Sequence, residues 1–199
     1  MITNVLTFIF GFLIFLFLLW RKLKEDYISS QIFTTAFYVL AGVTFGYFIS
    51  KRFFPAWWFW ESLVSGFVGL IIGVARFKLR FFEVFEASAI GFIFWIATIY
   101  FVDAIKLGSI SSFVGFLILS VLILLFYYFQ SHYRDFAWYK SGKIGFASLS
   151  CLGIFFTLRA LFATLFPFVL SFVGRWEIAV SAISAFVCFL VVFNLSIQK

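Results

Sequence analysis

Arg159 occupies the most expensive position of any charged residue in this chain. It lies inside the apolar run 144–166, and a guanidinium in hydrocarbon has to face a cavity, an acid or an anionic ligand. Three fates are open to it. It neutralises a lipid phosphate, pairs with an acid such as Glu61, Glu83 or Glu86, or snorkels toward the headgroups near Pro167. Glu83 and Glu86 come next. Three residues apart, they share one face at the start of an apolar run. Two such carboxylates either divide acid and base roles in hydrolysis or cap the positive end of the helix dipole, and their first-turn position favours capping. Asp103 sits at the far end of the same run, where an interfacial, solvated carboxylate is expected.

Other chemistries find little support. His132 is the only histidine, so no Ser/His/Asp or Cys/His set assembles. Cys151 and Cys188 lie within apolar runs and read as small core hydrophobes, not as a disulfide or metal ligands. Lys140-Ser141-Gly142-Lys143 lacks the upstream glycine and strand of a phosphate-binding loop. His132-Tyr133-Arg134-Asp135 reads as a basic loop, not a kinase catalytic loop. No metal or cofactor is expected.

The elements that must position these groups follow from composition. Of 199 residues, 65% are hydrophobic and 12% charged, whereas soluble domains are roughly 45–50% apolar and about 25% charged. Phe alone supplies 35 residues and Pro only 2. The solvent that accepts this surface is lipid. The expected fold is therefore all-α: one polytopic integral membrane domain of about seven transmembrane helices. The spans fall at about 4–20, 32–50, 60–75, 84–102, 110–129, 144–166 and 178–197, each close to the roughly 17–25 residues needed to cross.

Connections decide orientation. Arg21, Lys22 and Lys24, then Arg76, Lys78 and Arg80, then Arg134, Lys140 and Lys143 occupy alternate loops, with Lys199 in the tail. The opposite loops hold Lys51, Arg52, Lys106 and Arg175. The positive-inside rule then puts the N-terminus outside and the C-terminus in the cytoplasm, in the plasma membrane. The first run lacks a basic leader and a small-residue cleavage site, so it reads as a retained helix. The net charge of +7 is a topology and anionic-lipid signal, not a nucleic-acid footprint. Phe53–Trp60 is dense in aromatics and reads as an interfacial arm or short re-entrant segment, with a lid over a lipid site as the functional alternative. Gly42/Gly46 and Gly69/Gly73 have the spacing that lets helix backbones approach closely.

Over about residues 15–165 the order of segments resembles the bacterial prolipoprotein diacylglyceryl transferases. Trp20-Arg21-Lys22-Leu23-Lys24-Glu25-Asp26 looks like the basic exit of that family's first helix. Gly42-Val43-Thr44-Phe45-Gly46-Tyr47 resembles its Gly-Ala-Arg-x-x-Tyr stretch. The segment from Phe59 to Gly66 resembles a glycine-rich helix start. Phe82-Glu83-Val84-Phe85-Glu86, with Ala89 and Gly91, resembles the beginning of the signature helix. Ser141-Gly142-Lys143 and Gly153 resemble a later glycine run. The family's polar groups are largely exchanged: Thr44 stands for an arginine, Trp60 for a histidine, Tyr100-Phe101-Val102-Asp103 for Arg-x-Gly-Asn, and Phe156 for a further arginine, with Arg159 one turn on.

The resemblance implies transfer of a diacylglyceryl group from phosphatidylglycerol to a lipoprotein cysteine in the bacterial inner membrane. Glu86 and Asp103 would handle protons, while Arg159, Tyr100, Trp60 and Tyr47 would hold the lipid. The partners implied are membrane phospholipid and lipoprotein precursors. A non-catalytic lipid- or partner-binding protein on the same fold, and a small transporter subunit, are the alternatives.

Overall fold

In a computed structural model the described residues are 2–136, 139, 144–165 and 172–197, with side chains from residue 7 onward. They form seven long helices: α1 (Ile2–Leu23), α2 (Ser29–Phe53), α3 (Trp58–Phe77), α4 (Phe81–Leu107), α5 (Ile110–His132), α6 (Phe146–Leu165) and α7 (Trp176–Ile197). No strand occurs among the described residues. Helices α2 to α7 are each long and apolar enough to cross a membrane, α3 together with the short turn before it. The 22 residues of α1 give a rise of about 33 Å, matching the ~30 Å hydrocarbon thickness. The chain is thus an all-α, multi-pass membrane protein. Large apolar side chains such as Phe37, Leu124 and Phe186 remain about two-thirds exposed on helix surfaces, as a lipid-facing surface requires.

The helices run beyond the expected spans by about a turn at several ends, because flanking Lys, Arg and Trp residues continue the helix into the headgroup layer. Their stops are local. Lys78 adopts a left-handed φ of 52° and ends α3. Gly108 does the same for α4 at φ 60°, and Ser109 then caps α5 by accepting the Ser112 N–H.

Successive helices alternate in direction. One end of the bundle gathers the C-termini of α1, α3 and α5 with the N-termini of α2, α4 and α6, joined there by Lys22–Glu86 and Gly145–Glu86 contacts. This basic end holds Arg21, Lys22, Lys24, Arg76, Lys78, Arg80 and Arg134, the grouping expected from the loops. The opposite, aromatic end holds the turn Pro55–Trp57. Lys140-Ser141-Gly142-Lys143 and Pro167 lie outside the described residues.

The axis of the bundle is α4. It buries Val84, Ala87, Ile90, Ile93, Trp95 and Ala97 on all its faces, as a central helix does. One core joins α1, α2 and α4 through Phe15, Leu19, Ile32, Val39 and Trp95. A second joins α3 to α7 through Phe59, Trp60, Ile93, Phe126, Phe155 and Phe156. Helices α2 and α3 pack closely in antiparallel register. A Cβ on Gly42 would lie 2.3 Å from the Ser65 carbonyl oxygen, and one on Gly69 would lie 2.2 Å from that of Tyr38. The small-residue spacings therefore do what the sequence suggests.

Candidate functional site: an apolar cavity and two buried ion pairs

A cavity of about 540 Å³ opens among α1 to α5 toward the aromatic end, within the roughly 300–1,000 Å³ typical of ligand sites. Its walls are aromatic and aliphatic, including Phe12, Trp58, Phe92 and Trp95. Polar groups collect at one end: Asp103, Ser109, Ser111 and Ser112. Tyr47 and Tyr100 also line it, and no lysine or arginine among the described residues does. Phe12, Thr44 and Phe48 also line a groove between α1 and α2 on the outer surface of the bundle. These side chains form the wall between the cavity and that lipid-facing groove.

Asp103 is not the solvated end-group expected from sequence. It is half-buried and accepts the Ser112 hydroxyl across the α4–α5 turn. Its carboxylate thereby complements the positive end of the α5 dipole.

Arg159 is not part of this cavity's lining; it lines a smaller cleft of about 310 Å³ that shares Tyr100 and Ser111 with the first. The acid it meets is Glu177, not Glu61, Glu83 or Glu86. Nε and Nη2 of Arg159 donate to Glu177 Oε1 at 2.8 and 2.7 Å. The other carboxylate oxygen, Oε2, accepts from Trp60 Nε1 at 3.0 Å and from the Val173 N–H at 3.3 Å. Ser181 Oγ adds a donor at 2.7 Å to Oε1. The guanidinium also sits 3.8 Å from the Phe59 ring centre, a cation–π contact. Glu177 is fully buried. A charge pair in that setting holds only when its remaining hydrogen-bonding capacity is filled, as it is here. Trp60, read as part of an interfacial arm or a lipid contact, is thus a core residue that fastens α3 to α7; the exposed arm is confined to residues 53–56, with Trp57 half-buried.

Glu177 was legible only in part. It is the sole carboxylate after Arg159 in the chain. Alternating helix directions put the end of α6 and the start of α7 at the same face.

Of the other acid pair, Glu83 lies in the first turn of α4, as the capping reading expects, though no side chain caps that end by a hydrogen bond. Glu86 takes Lys22 of α1 and accepts the Gly145 N–H at the start of α6, at 2.9 Å. Lys22 also lies 4.8 Å from the Phe126 ring centre. Glu83 accepts from Tyr27 Oη at 2.7 Å and from Arg80 Nη1 at 2.9 Å. Tyr27 lies in the loop between α1 and α2, where burial and the neighbouring Glu83 carboxylate push its phenol up, so it remains a donor at ordinary pH. These contacts tie α1, α4 and α6 together at the basic end. Glu86→Ala is therefore expected to cost about 2–3 kcal/mol, because Lys22 and the Gly145 N–H both lose their acceptor. Glu86→Gln keeps an acceptor for Gly145 and costs less. Unfolding by denaturing detergent would measure both.

Of the residues expected to act together, Tyr47, Tyr100 and Asp103 share one cavity. Glu86 does not join them. It is 17 residues from Asp103 along α4, or about 25 Å, at the opposite end of the bundle. Trp60 and Arg159 are joined to each other through Glu177. No protein-family model, no curated protein and no solved structure matches the chain.

Proposed function

We propose that this protein holds a membrane lipid in the cavity between α1 and α5 without transforming it. The carrying observation is the character of the cavity itself: apolar walls, polar groups gathered at one end, and a wall of Phe12, Thr44 and Phe48 shared with a groove on the lipid-facing surface. Group transfer from a phospholipid needs preorganised positive charge at the reacting phosphate. Here the nearest guanidinium, Arg159, is committed to Glu177, and the two carboxylates named for proton transfer lie far apart. The bilayer that surrounds the protein is the natural source of the ligand.

Diacylglyceryl transfer is the second reading. It is favoured by one observation, the convergence of Tyr47, Tyr100 and Asp103 on the same cavity.

The test is native mass spectrometry of the detergent-purified protein. A retained lipid is expected, and Thr44→Trp, which places a large ring in the cavity wall, is expected to lower its occupancy severalfold while leaving the unfolding midpoint nearly unchanged. Wild-type protein that retains no lipid under gentle extraction would contradict the reading.

A further inference from the structure

Resting on that reading, we infer that the cavity selects a lipid whose polar end donates hydrogen bonds and carries no negative charge, a hydroxyl- or ammonium-bearing lipid, and discriminates against anionic phospholipids. An amphipathic ligand places its polar end where the cavity is polar, and that end is defined by Asp103 and the serines of the α5 start. A helix N-terminus is ordinarily where a phosphate would settle. At α5 that place is taken by the chain itself: Ser109 accepts the Ser112 N–H, and Asp103 accepts the Ser112 hydroxyl. A phosphate there would meet a carboxylate of the same sign, with no lysine or arginine among the described lining residues to offset it. Lys106, the nearest cation along α4, is exposed and outside the lining. The free acceptor capacity of a carboxylate suits an O–H or N–H donor.

Trp95 also lines the cavity, but its Nε1 is fully buried against Gly11 of α1, out of a ligand's reach. Charge recognition in the cavity thus rests on Asp103, with no positive charge among the described lining residues.

The test uses the full chain, stripped of lipid in detergent and offered dioleoylglycerol, sphingosine and dioleoylphosphatidylglycerol at equal mole fractions. Native mass spectrometry counts the bound species. Dioleoylglycerol and sphingosine represent the hydroxyl and ammonium sources. At least one of them is expected to exceed the phosphatidylglycerol by about tenfold or more. Asp103→Asn is expected to narrow that gap to within about threefold and to reduce sphingosine binding most, because its ammonium loses a counter-charge. Phosphatidylglycerol bound as well as both others would overturn the selectivity while leaving the lipid-holding role standing; binding of none of the three would overturn both. A gap that survives Asp103→Asn would remove Asp103 as its cause and with it the inference. If the variant does not fold, the wild-type ratio alone decides.

Discussion

Glu177→Ala is expected to lower folding stability by about 3–5 kcal/mol, and Arg159→Ala by a similar amount. Either change leaves one fully buried charge without its counter-charge. Glu177→Ala strands more: Trp60 Nε1, the Val173 N–H and Ser181 Oγ all lose their acceptor together with Arg159. It therefore has the larger effect of the two. A double change to apolar residues of similar volume, Arg159→Met with Glu177→Leu, is expected to recover most of the loss, since it removes both desolvation costs at once. Trp60→Phe removes a single donor and costs about 1 kcal/mol. Steric trapping or titration with denaturing detergent, run as a double-mutant cycle, gives the coupling directly. A neutral Arg159→Ala would mean that the guanidinium lies in water and that the pairing with Glu177 has no energetic weight.

Gly69→Ala is expected to destabilise by about 1–3 kcal/mol, with Gly69→Val worse. The sign is informative. In an ordinary helix interior, replacing glycine by alanine stabilises by roughly 0.5–1 kcal/mol. Here the added Cβ would stand 2.2 Å from the Tyr38 carbonyl oxygen, a backbone atom that cannot rotate away. The α2–α3 pair has to separate to admit it. Gly42→Ala meets the Ser65 carbonyl oxygen at 2.3 Å and behaves alike. Loss of this close packing also displaces Val43 and Thr44, which line the cavity, so reduced lipid retention accompanies the lost stability. Measured stabilisation by either alanine would show that the two helices do not approach so closely.

The membrane fold was readable because apolar run length and loop charge are both coarse signals that survive any sequence detail. Each of the seven runs became a helix, and the alternate basic loops fell at one end. The glycine spacings were readable for a related reason: a small residue every fourth position has one principal physical use in lipid.

The site was less legible, because its determinants are pairings between distant helices. Arg159 announced itself as a buried charge, yet nothing local to it names Glu177, which lies 18 positions on and across a turn. Glu83 and Glu86 looked like caps because first-turn acids usually are. Their partners, Tyr27, Lys22 and the Gly145 N–H, come from other elements. Asp103 looked solvated because it ends a helix; the tight Gly108 turn folds Ser112 back onto it. Trp60 looked interfacial because tryptophans cluster there. The alternation of helix directions, once applied, would have placed Arg159, Trp60 and Glu177 at the same end and suggested their meeting.

A likeness in the order of segments carries no chemistry by itself, since function rests in the groups a site presents. The measurement that separates holding a lipid from transforming one is direct. Protein in nanodiscs receives phosphatidylglycerol labelled in its diacylglyceryl part and a peptide carrying a lipobox cysteine, and product is followed by mass spectrometry. The expected result is no thioether-linked diacylglyceryl peptide above the protein-free background. A lipidated peptide that accumulates with time and disappears in Asp103→Asn would contradict it, and would place a working transfer site in the cavity.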